Sequence, residues 1–308
     1  MKGQKKPHEK SHDKRILIFI FPPLSCILVM TAKNIFCLNL QAAAVIQGIP
    51  GVREASALTI TKAQTDGESV KPEKATPFYR TQHERNEELK MEHNIVIRNE
   101  RADDYKTVEE ITRKAFYNIY VPGCVEHYLV HIMRGHEDFI PDLAFVLERD
   151  GSVIGNVMYT RAKLTDEDGH GKKILTFGPV SILPEYQRMG YGKRLLEHSF
   201  EKAKELGYDT IVIFGSPANY VSRGFKSCKK YHVCTGNGKY PAAMMVKELF
   251  PGALAGHKWT YQDSPVMAVS EEDAKRYDNT LEKMEKKHQP SQEEFYIMSH
   301  SFLENDSE

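Results

Sequence analysis

The chain has 308 residues, 41% hydrophobic and 27% charged, a balance typical of a soluble globular protein with one large domain or one medium domain plus appendages. Its 42 Lys+Arg against 42 Asp+Glu leave no global basic field, which argues against nucleic acid as a partner. Five cysteines (Cys26, Cys37, Cys124, Cys228, Cys234) are odd in number and form no CxxC pair, which argues against a zinc site or a disulfide framework and fits reduced thiols in the cytoplasm.

The first 93 residues differ from the rest. A basic opening (Lys2, Lys5, Lys6, Lys10, Lys14, Arg15) precedes an apolar run at 16–32, the pattern of a signal peptide or a single membrane anchor. The run is short for a bilayer span, and Pro22-Pro23 removes helix hydrogen bonds that lipid cannot replace. Membrane contact is therefore expected only if the run is real and retained. Residues 62–93 read as a solvated polar linker. Met91 lies three residues before the first convincing strand, so the folded protein is expected to begin near there, with 1–93 an N-terminal extension or a start-site artefact.

From Asn94 the pattern turns regular. Ile95, Val96 and Ile97 predict a strand, and Asp103 or Asp104 can cap a helix carrying Val108, Ile111, Ala115 and Phe116. A second helix is expected over 127–136, with Tyr128, Leu129, Ile132 and Met133 as its apolar face. Strands at 143–148 and 153–159 flank an Asp150-Gly151 turn, and a polar break at 166–170 leads to a strand over 174–183. Residues 193–206 form a strongly amphipathic helix that Gly207 can end. The fully apolar stretch 210–214 predicts a buried central strand, and 231–234 and 243–246 suggest two more. Beyond 249 a partly helical C-terminal extension is expected, leaving 94–249 as the central domain. In it Ser270-Glu-Glu-Asp273 opens a charged helix to about 287, and Ser291-Gln-Glu-Glu294 opens a second with Phe295, Tyr296, Ile297 and Met298 as an apolar cluster. This tail could pack on the domain, shape an acceptor pocket or mediate a homodimer.

The chemistry concentrates after strand 174–183, where Gln187-Arg188-Met189-Gly190-Tyr191-Gly192 turns directly into a helix. A tight glycine turn at a helix N-terminus presents free N–H groups and partial positive charge, to which Arg188 and Lys193 add cations. It lacks the third glycine of the dinucleotide fingerprint and is no GxxxxGK[ST] loop. By itself it says only that an anion can sit there.

Its surroundings are more specific. Gln187-x-x-Gly190-x-Gly192, the preceding Gly178-Pro-Val-Ser-Ile-Leu-Pro184, and Tyr220-Val-Ser-Arg-Gly224-Phe225 together resemble the GNAT N-acetyltransferase superfamily, in the right order over about 94–249. The Gly215-Ser-Pro-Ala-Asn-Tyr220 turn looks most like a predicted bacterial-type acetyltransferase subgroup. The resemblance implies an α+β (α/β) fold with a mixed, splayed central β-sheet flanked by helices. It implies acetyl-CoA as co-substrate, with no metal, and direct acetyl transfer to a small-molecule or peptide amine. A cytosolic co-substrate conflicts with an N-terminal anchor, since basic residues before the apolar run would send the domain outside.

Carried over, main-chain groups of Val180 and Ile182 would meet the pantetheine amides. Main-chain amides across Arg188, Met189, Gly190, Tyr191, Gly192 and Lys193 would hold the pyrophosphate, and Gln187 of the motif joins the cofactor-binding residues. Tyr220 stands where the family has its tyrosine general acid, able to protonate or hydrogen-bond the departing sulfur. Asn219 could contact the cofactor or simply form the turn, and the family's usual asparagine position falls on Ile213. No general base is evident, since strand 174–183 contains no carboxylate. Glu185 is the nearest acid and is expected to face solvent. His127, His131 and His136 are candidates or ordinary packing histidines, with no third ligand spaced to complete a metal site. Cys124 has no local nucleophile signature. Transfer of a longer acyl group and a non-catalytic acyl-CoA-binding regulatory module are the alternatives.

Overall fold

The computed structural model describes residues 15–17 and 93–304. The expected apolar run at 16–32, the polar linker and the start near Met91 lie outside the described residues, except that Arg15–Leu17 form a strand (β1) paired with Ala268–Ser270 (β14).

Two sheets divide the remaining strands. The smaller, fully antiparallel, has the order β2 (Ile95–Asn99), β3 (Phe145–Arg149), β4 (Ser152–Val157), β7 (Ser181–Ile182). The larger, mixed sheet has the order β10 (Val233–Cys234), β13 (Trp259–Gln262), β5 (Tyr159–Thr165), β6 (Gly171–Phe177), β8 (Thr210–Phe214), β12 (Met244–Glu248), β9 (Lys226–Ser227). This is the mixed, splayed sheet expected. A further pair, β11 (Tyr240–Pro241) and β15 (Phe302–Leu303), lies outside both sheets.

The chain passes between the sheets twice, and these crossings set up the site. Residues 153–159, expected as one strand, divide at Met158 into β4 and β5. Residues 174–183 divide at 178–180 into β6 and β7, because Pro179 has no N–H for a ladder and Gly178 fits a close approach. A Cβ at Gly178 would stand 2.7 Å from Met133 Sδ. Strands β6 and β8 run parallel and are registered only at Leu175 and Ile211. Beyond that point β7 leaves to pair with β4, while β8 stays with β12. The sheet therefore splits where two parallel strands diverge, the position at which open α/β sheets bind ligands.

Helix α1 (Tyr105–Phe116) and helix α2 (Glu126–Met133) pack on one another, and α3 (Tyr191–Glu205) buries Leu195, Leu196, Phe200 and Ala203 in the core shared with β3 to β8. Each leucine or phenylalanine so buried contributes on the order of 2 kcal/mol relative to exposure. Helix α2 is shorter than the expected 127–136, with Gly135 just past its end. Asp104 does not cap α1 through its side chain: its carboxylate is held by Arg98 at 2.6 and 2.9 Å.

Residues after 249 interlock with the sheet, since β13 pairs with β5. Ser270 Oγ accepts from Asp273 N and caps α5 (Glu271–Asp278), which stops far short of 287. Its last residue is drawn inward by Arg113, and residues 279–289 then run along the loop at 117–125 without helix. The final helix, α6 (Pro290–His300), begins one residue before Ser291, whose hydroxyl donates to Ile119 O rather than capping. Phe295 and Met298 pack against the core while Tyr296 and Ile297 are exposed, so the expected apolar cluster is split between two faces.

Candidate functional site

The glycine turn sits at the divergence. After β7 a short turn, Pro184–Tyr186, leads to Gln187. Arg188 and Gly190 both take positive φ (65° and 88°), and Gly190 is the N-cap of α3. The first bond of the helix runs from Arg194 N to Gly190 O, so the amides of Tyr191, Gly192 and Lys193 have no intrahelical acceptor. A Cβ at Gly190 would meet nothing within 4 Å, and one at Gly192 would meet Ile182 Cγ1 at 3.7 Å, so this wall of the turn is open. Arg188 and Lys193 are exposed beside it, while Met189 is partly buried against the core and the Tyr191 ring is buried.

The turn and β7 are tied together. Gln187 Nε2 donates to Ile182 O at 2.9 Å. Leu183 N donates to Ile154 O at 2.8 Å, with Gly155 opposite Ile182 and Asn156 opposite Ser181. In an antiparallel ladder, main-chain groups alternate in direction. Those of Ser181 and Leu183 therefore face β4, while those of Val180 and Ile182 face the open edge. The structure thus brings Val180, Ile182 and Gln187 to Lys193 to one place: a strand edge that no further strand covers among the described residues, with its Ile182 carbonyl held by Gln187, running into a helix N-terminus.

Tyr220 ends the short helix α4 (Pro217–Tyr220) after β8. It is 1% exposed, its ring lies 5.8 Å from Phe177 and 5.7 Å from Phe225, and its hydroxyl has no hydrogen-bond partner among the described residues. Burial pushes its ionisation well above the ordinary phenol value, with nearby Arg223 acting against that, so the group is a neutral donor. A buried orphan donor costs roughly 1–3 kcal/mol, which makes a ligand acceptor its natural complement. Asn219 is different: its N–H donates to Ser216 O, as turn formation requires, its carbonyl accepts from Arg223 Nη1, and among the described residues no hydrogen bond joins it to the glycine turn. Ile213 is fully buried in β8.

The expected base candidates do not converge. Glu185 is exposed on its turn. His131 pairs with Glu109 at 3.1 Å and His136 lies 3.6 Å from Asp138. His127 is fully buried, with Nδ1 3.1 Å from Cys124 Sγ and Nε2 3.4 Å from Asp278 Oδ1, a carboxylate also paired with Arg113 at 2.8 Å. Desolvation drops the His127 ionisation to about 4 despite Asp278. Burial pushes the Cys124 thiol well up, so it is no activated nucleophile. Among the described residues one cluster has metal-ligand spacing, Asp166, Asp168 and His170 on the β5–β6 turn, away from the site just described.

One carboxyl passed over in the sequence is conspicuous. Glu126, first residue of α2, is 4% exposed and pushed up to about 7 by desolvation, against its main-chain hydrogen bonds. Its carboxylate accepts from its neighbour Val125 N at 2.9 Å. The Tyr120 phenol feels both the Glu126 carboxylate and Tyr220. An acidic residue in a first helical turn is the commonest of surface features, and nothing in its spacing signals burial.

A sheet parting around a glycine turn at a helix N-terminus is a place where an open α/β fold can receive an anionic ligand. Residues 107–226 match the acetyltransferase (GNAT) family. The uncharacterized N-acetyltransferase YjhQ of Escherichia coli K12 is 29% identical over 146 residues, covering 47% of this chain and 74% of YjhQ. The uncharacterized N-acetyltransferase YhbS of the same strain is 27% identical over 164 residues, covering 53% of this chain and 92% of YhbS. The crystal structure of E. coli YhbS in complex with CoA shares the fold, with a TM-score of 0.50 at 22% identity over 57% of this chain and 93% of that one. The chain therefore has the GNAT fold, and its residues 107–226 are similar to the acetyltransferase (GNAT) family.

Proposed function

We propose that the protein is an acetyl-CoA-dependent N-acetyltransferase that moves the acetyl group directly to a primary amine. The observation that carries this is the edge of β7 turned away from β4, formed by the main chain of Val180 and the Ile182 amide, running into the amides of Tyr191 to Lys193, which have no intrahelical acceptor, where the two sheets part. The crystallised CoA complex of YhbS supports the same donor.

The strand edge would take the pantetheine amides as an added strand does, and the helix N-terminus would hold the pyrophosphate, with Gly190 and Gly192 leaving room. Gln187 fixes the Ile182 carbonyl and so the spacing between these two parts. Bound acetyl-CoA supplies the activated acyl thioester. Tyr220 then serves the departing sulfur. A thiol ionises near 8.5, well below this phenol, so full proton transfer from Tyr220 to a thiolate is uphill. Its contribution is a hydrogen bond to the developing negative charge in a site without competing water.

The test is thermal unfolding of the full chain with and without acetyl-CoA. At one hundred times Kd, binding to the native state adds about 2.7 kcal/mol, or roughly 5–10 °C for a domain of this size. No shift at millimolar acetyl-CoA refutes the assignment. A shift without thiol release across a broad set of primary amines would instead favour the acyl-CoA-binding module.

A further inference from the structure

We propose that Glu126 is the general base of the transfer, taking the proton that the acceptor ammonium must lose before its nitrogen can attack. This rests on the acetyltransferase reading above. Strand 171–182 offers no carboxylate, so a side-chain base has to be supplied by another element. Glu126 is buried, no Lys, Arg or His pairs with its carboxylate among the described residues, and its main-chain partner Val125 N is already adjacent. A buried carboxyl without a cation is costly and does little for the fold. Such groups persist where chemistry needs them.

Its position suits the role. The loop at 117–125 leads directly into Glu126, and the Tyr120 phenol in that loop couples electrostatically to both Glu126 and Tyr220. The titratable groups that feel Glu126 are Tyr120 and Cys124, both kept neutral by burial, and no charged group sets its ionisation. The loop is pinned from outside by the C-terminal segment. Tyr117 OH donates to Met284 O, Asn118 Nδ2 donates to Glu285 O, and Gln292 Nε2 donates to Asn118 O, at 2.8–3.0 Å. Phe295 packs on Tyr120 with ring centroids 5.1 Å apart.

In the step proposed, a Glu126 oxygen takes one proton from the ammonium and frees the nitrogen lone pair. The N–C bond to the acyl carbon forms and the C–S bond breaks, its electron pair going to sulfur. The second proton lost by nitrogen ends on that sulfur as thiol, and Glu126 returns its proton to solvent. The sum is ammonium plus thioester giving amide, thiol and one proton.

Glu126→Gln keeps the shape and removes the base. With acetyl-CoA as probe, its thermal shift should equal that of the wild type; loss of the shift in both proteins removes the acetyltransferase reading and this proposal with it. Thiol release with primary amines should fall about 100-fold in kcat at neutral pH, with KM for acetyl-CoA unchanged. Glu126→Ala should recover turnover on adding formate. An activity-independent arm follows urea unfolding of wild type and Glu126→Gln from pH 5 to 9: the variant should gain on the wild type as pH rises through 7. Turnover within threefold of wild type, or a stability difference that does not change with pH, overturns the proposal.

Discussion

The pH arm can be worked through quantitatively. The Glu126 carboxyl titrates near 4.5 in the unfolded chain and at about 7 in the fold. Between those values the folded state holds a proton that the unfolded state has released, so stability falls as pH rises. The stability is fully present below 4.5 and is lost by the time pH has passed 7. The span corresponds to roughly 3 kcal/mol at 1.36 kcal/mol per unit. Glutamine has no such titration. An amide oxygen accepts from Val125 N as the neutral carboxyl does, and the folded value of about 7 already includes that bond, so Glu126→Gln should be about 3 kcal/mol more stable than wild type at pH 8. At pH 4.5 the two should be nearly equal. Urea midpoints at constant m-value measure this directly. His127, the next residue, slopes the other way. Its ionisation falls from 6.5 to about 4, so the folded state stays neutral where the unfolded state is charged, and stability is lost as pH falls through 6.5 towards 4, again by about 3 kcal/mol. In the wild type the two slopes oppose each other between 4.5 and 6.5; Glu126→Gln should unmask a steep acid limb that Glu126→Gln/His127→Gln flattens. A wild type more stable than Glu126→Gln at pH 8 would refute the reasoning, because it would mean that the ionised carboxylate is compensated in the fold.

Three further outcomes follow from the geometry. Tyr220→Phe should keep the acetyl-CoA thermal shift and fill the same space, while lowering kcat by about 10–1000-fold through loss of the donor to sulfur; unchanged turnover removes Tyr220 from the mechanism. Gly190→Val places a β-branched residue at φ 88°, costing about 1–3 kcal/mol in a thermal melt and weakening acetyl-CoA binding at the turn. Asp278→Ala leaves Arg113 buried beside the fully buried His127 without an anion and should cost about 3–5 kcal/mol in chemical unfolding, and Asp278→Asn less.

What could be read from the sequence, and what could not, divides by range of interaction. The glycine turn, α3 and the apolar strand β8 are set by local chemistry: backbone freedom at Gly190, helical spacing of Leu195, Leu196 and Phe200, an unbroken apolar run at 210–214. All of these are legible in a few residues. The strand break at 178–180 was half legible, since Pro179 forbids a ladder bond, but the pressure of Met133 on Gly178 comes from α2 and cannot be seen locally. The early end of α5 was hidden because Asp278 is captured by Arg113, 165 positions away.

Glu126 is the extreme case. Its burial depends on where the loop at 117–125 lies, and that loop is held by main-chain acceptors at 284 and 285, whose side-chain types carry no signal. Hydrogen bonds to carbonyl groups are invisible in a sequence. The signature strand therefore looked incomplete for want of a carboxylate. On the reading argued above, the missing group comes from a loop that the C-terminal segment holds in place, so this segment belongs to the catalytic architecture as much as the glycine turn does.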